Sequence, residues 1–310
     1  MDDTNAVELY RKHRPRLFKE LLGQPEAVKT FKKWIEDNKT PHAVLFTGPS
    51  GVGKTTVARI LANKLKCGEN LVEINAAEER GIEMTRDINR RKGAWPMGGA
   101  ACRVWILDEC HRATGDAQSS LLKTLEDVPS HVYFFLCTTD PQKLLATIRT
   151  RCTEVKLAPL SSKDMTELIK RVLEKEKKTV PDTVRDRIIE VADGSARKAL
   201  VLLHHALGLD TEAEQLKVIL SSDLKTQAIE IARALINKDK WAKVAGIVKG
   251  LEGEDAETLR WLVLGYAKSV LLSGGPKAPR AFELICSFES NFYDSKHAGL
   301  ARACWEVTNR

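Results

Sequence analysis

The sequence lacks the cysteine and histidine patterns that hold small secreted domains or zinc sites together. Its seven cysteines are scattered, and none of them forms a C-x-x-C pair, so we expect neither a disulfide framework nor a zinc knuckle. The seven histidines show no metal-ligand spacing either. Reduced thiols, as in the cytoplasm, are the expected state of the cysteines.

Long apolar runs, low-complexity tracts and internal repeats are also missing. No apolar run approaches about 18 residues, the length that suggests a membrane span, and the first residues are polar and acidic, unlike a signal peptide. We therefore expect a soluble intracellular protein with no membrane partner. Its expected location is the cytoplasm or, in a eukaryote, the nucleus.

The charge balance of the chain is basic. The formal net charge is +7 and the pI is about 9.0, which favours a polyanionic partner, although basic residues are also common on ordinary solvated surfaces. With 43% hydrophobic and 29% charged residues, the chain is expected to be globular and rich in helix. Its 310 residues suffice for two or three domains, each with its own core.

A phosphate-binding loop follows the apolar run Ala43–Phe46. The sequence fits G-x-x-x-x-G-K-[ST] and leads into a predicted helix, an agreement that an ordinary glycine-rich surface turn does not explain. Glycines let backbone N–H groups surround a polyphosphate, and the positive helix N-terminus adds to the attraction. Lys54 would reach the β- and γ-phosphates, and Thr55 would place its hydroxyl on Mg²⁺. We predict a nucleoside triphosphate site formed by Gly48, Pro49, Ser50, Gly51, Val52, Gly53, Lys54, Thr55 and Thr56.

After a short strand predicted at Leu71–Ile74, the next strand, predicted at Arg103–Leu107, ends in two adjacent carboxylates. Asp108 is expected to hold the Mg²⁺ shell, and Glu109 is expected to polarise the attacking water. An acidic helix cap is the alternative, but it does not explain the buried strand before the pair. A further strand at Val132–Leu136 leads to two threonines, and a hydroxyl there could contact the γ-phosphate or the water. Ordinary turn chemistry is the alternative for those threonines.

The order of the elements predicts an α/β fold followed by an all-α region. Strands and helices alternate as far as Leu157, which indicates a parallel sheet covered on both faces, with the nucleotide at the carboxyl edge of its strands. After Pro159 the strand signals stop. We expect a nucleotide-binding domain over 1–158, a small helical domain over 159–210 and a helical domain over 211–310. The tryptophans of the last domain are predicted to lie in its core, namely Trp241, Trp261 and Trp305.

Several motifs in this order resemble the clamp-loader subunits of the AAA+ ATPases. The segment Leu9–Pro15, predicted to be extended because of Pro15, matches the opening of that family, although His13 stands where Tyr or Trp is usual. Other segments resemble replication factor C small subunits or the bacterial tau/gamma subunit, namely Leu22–Gln24, Asn75–Ile82, Pro96–Gly99, Leu122–Glu126 and Thr138–Leu144. The bacterial subunit has a four-cysteine zinc module where this chain has only Cys67. The chain therefore looks more like an archaeal, eukaryotic or viral small subunit.

The resemblance implies an AAA+ nucleotide-binding domain with a parallel sheet, a small helical lid and a C-terminal helical collar. It carries over the predicted roles of the loop and of the paired carboxylates. It also places Thr139 at sensor 1, where replication factor C usually has Asn, and Arg197 at sensor 2. Arg14 falls among the nucleotide contacts. Arg151, in a Thr-Arg-Cys box where the family has Ser-Arg-Cys, would act on the nucleotide of a neighbouring subunit.

The resemblance also implies partners. Five subunits of such a loader form a spiral that grips a sliding clamp and winds around primer-template DNA. Arg80 and Arg86 would meet DNA phosphates, with a solvated helix face as the alternative. Trp95 and Met97 lie in a glycine-flanked loop for which local packing is the simpler interpretation from sequence alone. The resemblance instead places that loop on the face that meets the clamp.

Three other functions are compatible with parts of the sequence. Another AAA+ machine, such as a branch-migration motor or a helicase loader, would share every nucleotide-binding residue. A helicase with an Asp-Glu-x-His motif needs a second RecA-like domain, which the helical region after Pro159 does not supply. A non-hydrolysing architectural subunit is disfavoured by the intact Lys54, Thr55, Glu109 and Arg151. We therefore predict an ATPase subunit of a sliding-clamp loader that uses ATP and Mg²⁺.

Overall fold

The structure is a computed structural model that describes residues 8–309, apart from the side chains of residues 222 and 223. Contacts within this range divide the chain into two compact units, of which the first ends at Glu212 and the second begins at Ala213. None of the helices in residues 8–309 is long and apolar enough to cross a membrane.

The first unit is built on a parallel β-sheet, as the alternation of strands and helices predicts. Its strands are β1 (Ala43–Thr47), β2 (Leu71–Asn75), β3 (Arg103–Asp108), β4 (Val132–Thr138) and β5 (Thr153–Lys156). They lie in the order β2-β3-β4-β1-β5, and every neighbouring pair is parallel. The carboxyl ends of all these strands therefore meet at one edge of the sheet.

Helices connect the strands and continue beyond them. They are α1 (Leu9–Lys12), α2 (Pro25–Glu36), α3 (Lys54–Lys64), α4 (Ile82–Arg91), α5 (Gly115–Glu126), α6 (Ala146–Arg151), α7 (Ser162–Glu176), α8 (Asp182–Ala192) and α9 (Ala196–Ala206). Beyond β5, the described residues of this unit form only helices and irregular connections. The predicted change from α/β to all-α structure is confirmed.

Both faces of the sheet are covered, which explains the nearly continuous apolar runs in its central strands, β1, β3 and β4. All residues of β1 are buried, and successive side chains point to opposite faces. Val44 and Phe46 pack in one apolar cluster, whereas Ala43 and Leu45 pack in the other. Trp105 of β3 is fully buried in the second cluster. The predicted covering of both faces is confirmed.

The basic segment before Pro15 is helical, so the prediction of an extended segment is wrong. Proline restricts the residue directly before it, and α1 ends three residues upstream, beyond the reach of that restriction. The ammonium of Lys12 lies 2.8 Å from the carboxylate of Glu176, and His13 Nε2 lies 2.5 Å from the same carboxylate. These contacts tie the start of the described chain to the end of α7.

The second unit is helical, as predicted. Its helices are α10 (Glu212–Ile236), α11 (Trp241–Lys249), α12 (Ala256–Leu272), α13 (Ala278–Ser287) and α14 (Lys296–Thr308). Fully buried residues from several helices, including Leu259, Leu284 and Leu300, form one apolar core. This core also encloses an ion pair between Glu257 and Arg260, at 2.6 Å, whose charged groups bond to backbone atoms around Phe288 and Phe292. Hydrogen bonds of this kind offset the cost of burying both charges.

Two of the three tryptophans predicted to lie in this core are exposed. The exposed fraction is 61% for Trp261 and 52% for Trp305, whereas Trp241 packs against the buried cluster. The buried apolar residues of α12 recur three to four positions apart, and Trp261 falls outside that stripe. The guanidinium carbon of Arg260 lies 4.5 Å from the centre of the Trp261 ring system. The core prediction is therefore wrong for Trp261 and Trp305.

Candidate nucleotide site

The phosphate-binding loop connects β1 to α3 and contains glycines that no other residue can replace without strain. Gly48 and Gly51 have φ angles of +145° and +79°. A Cβ on Gly48 would press on the carbonyl oxygen of Leu157, and one on Gly51 would press on the hydroxyl of Ser195. The loop can therefore pack this closely against the end of β5 and the start of α9 only because these positions lack side chains.

Lys54 begins α3 and is held inside the loop. Its ammonium donates hydrogen bonds to the carbonyl oxygens of Gly48 and Pro49, at 2.9 Å and 2.8 Å. Burial lowers the pKa of Lys54, and the nearby carboxylates of Glu109 and Asp108 oppose this shift. The ammonium group thus lies at the N-terminus of α3, where the backbone N–H groups point out of the helix and also attract anions.

Thr55 and Asp108 meet although they come from different elements. The hydroxyl of Thr55 donates to Asp108 Oδ2 at 2.7 Å, and the other carboxylate oxygen accepts from the backbone N–H of Glu109 at 3.0 Å. A hydroxyl and a carboxylate are oxygen donors of the kind that Mg²⁺ prefers. The two residues fit the metal-binding role that the sequence predicts, and that role stays a prediction.

Glu109 adopts a left-handed backbone conformation, with φ +49° and ψ +38°, directly after β3. For a residue other than glycine this conformation costs about 1 kcal/mol or more, so the surroundings must hold it. Its Oε2 lies 3.3 Å from the hydroxyl of Thr139 and 3.5 Å from Nδ1 of His111. The structure therefore brings Glu109 and Thr139 together at the ends of the neighbouring strands β3 and β4.

A cavity of about 340 Å³ opens beside these groups, a size typical of small-ligand sites. Most of the predicted nucleotide-site residues line it, namely Arg14, Ser50, Gly51, Val52, Gly53, Lys54, Thr55, Thr56, Asp108, Glu109 and Arg197. Gly48 and Pro49 instead stand at the start of the loop, where their carbonyl groups bind Lys54. The cavity also has an apolar side, to which Leu160 and Leu200 contribute.

Two arginines give this cavity a cationic wall. Arg14 follows α1 and Arg197 lies in the first turn of α9, so they come from opposite ends of the first unit's sequence. Burial lowers the pKa of Arg14, and the positive charges of Arg59 and Arg197 lower it further. Tyr10 also lines the cavity and lies under Arg197, with 5.6 Å between the guanidinium carbon and the ring centre.

Sequence reasoning missed Tyr10 and His111 as neighbours of the site. Tyr10 lies in the basic segment whose other residues drew attention to charge alone. His111 lies two residues after Glu109, a separation that could have drawn attention to it as a possible contact of that carboxylate. In both cases the available signal was an aromatic ring close in sequence to a predicted site residue, which is Arg14 for Tyr10 and Glu109 for His111.

Arg151 lies at the end of α6, away from the cavity. It is not among the described residues that line the cavity, and its guanidinium pairs with Glu126 at 2.5 Å. The same guanidinium donates to the carbonyl oxygen of Thr147 at 3.1 Å. This geometry therefore does not favour an action of Arg151 on the nucleotide of its own subunit.

The predicted DNA contacts are exposed. Arg80 precedes α4, and its Nε donates to the carbonyl oxygen of Ala77 at 2.7 Å. Arg86 lies on α4 and forms an exposed ion pair with Glu83 at 2.7 Å. Exposed pairs one helical turn apart contribute little stability, so the Arg86 guanidinium remains accessible to other anions.

The predicted clamp contacts are also exposed, with 74% of Trp95 and 78% of Met97 accessible. The Trp95 ring stacks on His131, with ring centres 4.5 Å apart. The buried Asn70 bonds to both the N–H and the C=O of Met97, at 2.9 Å and 3.0 Å. The local packing suggested by the sequence alone therefore applies to one face of Trp95 and not to the Met97 side chain.

Known proteins share both the sequence and the fold of this chain. A family model described as DNA polymerase III, delta subunit, matches residues 23–83 and 69–161. A replication factor C small subunit of Methanococcus maripaludis is 34% identical over 258 residues, which is 79% of this chain and 81% of that protein. DNA polymerase III subunit gamma of Buchnera aphidicola is 33% identical over 260 residues, which is 76% of this chain and 71% of that protein.

Among solved structures, the Thermotoga maritima RuvB Holliday junction branch migration motor matches with a TM-score of 0.56. That match covers 72% of this chain and 79% of the motor at 22% identity, so it shows a shared fold alone. The sequence relatives are more specific, because their identity exceeds 30% over most of both proteins. This chain belongs to the family of AAA+ clamp-loader subunits that includes replication factor C small subunits and DNA polymerase III gamma subunits.

Proposed function

We propose that this chain binds and hydrolyses ATP with Mg²⁺ as a subunit of a loader that opens a sliding clamp and places it on primer-template DNA. The observation that carries the proposal is the convergence of Lys54, Thr55, Asp108 and Glu109 at one cavity that the phosphate-binding loop also lines. These residues come from α3 and from the end of β3, and they supply a cation, a hydroxyl and two carboxylates. This is the set of groups that phosphoryl transfer from a nucleotide requires.

Each of these groups has a separate task in the proposed reaction. Lys54 exchanges its carbonyl partners for the β- and γ-phosphate oxygens of ATP. Thr55 and Asp108 hold Mg²⁺, which supplies positive charge to the phosphate oxygens when it is bound. Glu109 orients the attacking water and accepts its proton, and the Thr139 hydroxyl holds the Glu109 carboxylate through a hydrogen bond.

Two arginines would connect the nucleotide to other parts of the molecule. Arg197, at the start of α9, would bind phosphate from the side of the helices that follow the sheet. Arg151 would instead leave Glu126 and reach the nucleotide of the adjacent subunit, where a guanidinium stabilises the charge that spreads over the transferred phosphoryl group. An isolated subunit would then hydrolyse ATP slowly.

The exposed surfaces support the proposed partners. Trp95 and Met97 would enter an apolar pocket of the clamp, since such anchors dominate protein interfaces. Arg80 and Arg86 would meet DNA phosphates without reading bases.

We further propose the division into an AAA+ domain at 1–158, a lid at 159–210 and a collar at 211–310. The exposed Trp261 and Trp305 would meet neighbouring subunits of a pentamer, because apolar aromatic surface of this kind is common at subunit contacts. A cytoplasmic location, or a nuclear one in a eukaryote, suits these partners.

The test is the rate of ATP hydrolysis by the assembled loader, measured alone, with sliding clamp, with primed DNA and with both. We expect the rate to rise most when clamp and primed DNA are present together. A DNA-stimulated rate that does not respond to any clamp would contradict the proposal and favour another AAA+ motor. Mixing Arg151→Ala with Lys54→Ala subunits tests the action between subunits, because some interfaces then combine an intact loop with an intact arginine and regain hydrolysis.

A further inference from the structure

His111 contacts the carboxylate on which the proposed hydrolysis depends. It lies in a short turn directly after Glu109, and its side chain is only 9% exposed. Its Nδ1 lies 3.5 Å from Glu109 Oε2, the same oxygen that lies 3.3 Å from the Thr139 hydroxyl. Two side chains from the described residues therefore lie next to one oxygen of the proposed general base.

The second partner of His111 is Thr138, at the end of β4. Nδ1 and the Thr138 hydroxyl oxygen are 2.9 Å apart, and that oxygen also accepts from the backbone N–H of Asp140 at 3.0 Å. Because Thr138 is fully buried, its own proton needs an acceptor, and Nδ1 provides one. These hydrogen bonds assign a neutral imidazole with its proton on Nε2. In that form His111 has no Nδ1 proton to donate to Glu109.

Protonation of the ring would reverse this arrangement. The imidazolium carries a proton on Nδ1 as well, so the ring can no longer accept from Thr138 and can donate to Glu109 instead. A carboxylate paired with a cation is a weaker base, because the positive charge favours its ionised form. The same small turn thus offers Glu109 two states, one held by Thr139 alone and one held by the imidazolium.

From this geometry we propose that His111 is a positioning residue for Glu109 and that a proton on its ring withdraws Glu109 from catalysis. The proposal rests on the proposed ATP hydrolysis and identifies a control within the same site. His111 is not among the described residues that line the nucleotide cavity, whereas Glu109 is. The effect should therefore fall on the rate of hydrolysis and not on the binding of ATP.

The charges around His111 set the pH at which this happens. Burial lowers the pKa of His111, the Glu109 carboxylate raises it, and the positive charges of Arg112 and Lys143 lower it. Asp140 raises it and forms an ion pair with Lys143 at 2.9 Å. The pKa of the ring is thus lowered from its ordinary value of about 6.5, so the ring is neutral at pH 7. Hydrolysis is expected above this pKa and is lost as the pH falls through it.

Two variants separate positioning from a merely structural role. His111→Asn places an amide near Nδ1, which can accept from Thr138 but does not titrate. The wild-type rate should fall about tenfold for each pH unit below the pKa, which forms the acid limb of its pH–rate profile. We expect His111→Asn to keep the kcat seen at neutral pH and to lose this acid limb. His111→Ala has no ring to carry the proton, so it should also lose this fall in rate at acid pH, while KM for ATP stays unchanged. His42→Asn is the matched control, since His42 bonds to the Val132 carbonyl oxygen and should leave the acid limb in place.

A measurement without turnover completes the test. NMR titration of the His111 ring in the full chain should show a lower pKa in Glu109→Gln than in the wild type, because the carboxylate that raises it is gone. An unchanged ring pKa, or identical acid limbs in wild type and His111→Asn, would overturn the proposal. A wild-type loader with no ATP hydrolysis would overturn the proposed function itself, and the NMR titration would still decide whether His111 and Glu109 interact.

Discussion

The contact between Gly51 and Ser195 allows a quantitative prediction for Gly51→Ala. Gly51 has a φ of +79°, a region that costs an L-residue about 1 to 2 kcal/mol. The new methyl group would also displace the Ser195 hydroxyl, which caps α9 by accepting from the N–H of Lys198 at 3.3 Å. Loss of such a cap costs about 1 kcal/mol. We therefore expect Gly51→Ala to lower the free energy of unfolding by about 2 to 3 kcal/mol.

Urea unfolding of the full chain measures this value, and two further variants divide it into its parts. Gly99 also has a positive φ, of +71°, but its added Cβ would meet nothing within 4 Å, so Gly99→Ala should show the backbone cost alone. Ser195→Ala should cost about 1 kcal/mol in the wild type and nothing further in Gly51→Ala, because the cap is already lost there. Additive costs, or equal effects of Gly51→Ala and Gly99→Ala, would refute the reasoning.

Three other predictions concern the proposed interactions with nucleotide, DNA and clamp. Lys54→Ala should abolish ATP binding in a calorimetric titration, whereas Glu109→Gln should retain it and lose about 10² to 10⁴ in the rate of hydrolysis; equal loss of affinity in both would contradict these roles. Arg80→Ala combined with Arg86→Ala should weaken primed-DNA binding equally across sequences and should reduce the slope of log binding constant against log salt concentration by about 1 to 2. An unchanged slope would show that both arginines only face solvent. Met97→Asp should weaken clamp binding by about 2 kcal/mol or more while Met97→Leu retains it, and equal affinities in a clamp pull-down would show that the loop is not an anchor.

The parallel sheet could be predicted because its central strands, β1, β3 and β4, are buried on both faces. β1 consists only of buried residues, and this run, followed by glycines and Lys54, indicates a strand before a phosphate-binding loop. The meeting of Thr55 with Asp108 could also be predicted, since the carboxyl ends of parallel strands share one edge. Topology alone thus brings these residues together from distant parts of the sequence.

Other features depend on contacts that a linear pattern does not contain. The exposure of Trp261 follows from which stripe of α12 meets its neighbours, and hydrophobicity alone does not identify that stripe. The helix α1 is held by Glu176, a residue more than 160 positions away, so local proline rules could not predict it. The pairing of His111 with Thr138 depends on the side-chain direction at the end of β4.

The hydrogen bonds of Asn70 hold the backbone of Met97 in place and so affect the strength of any binding by this loop. A free loop loses backbone entropy when a partner orders it, about 1 to 2 kcal/mol for each residue that is fixed. Asn70 bonds both polar backbone atoms of Met97 and also the carbonyl oxygen of Cys67, so the backbone is already fixed before any partner arrives. The Met97 side chain still has to be ordered, whereas the Trp95 ring is already stacked on His131. A partner would therefore meet a preformed backbone at Met97, and its binding would not include the cost of ordering that backbone.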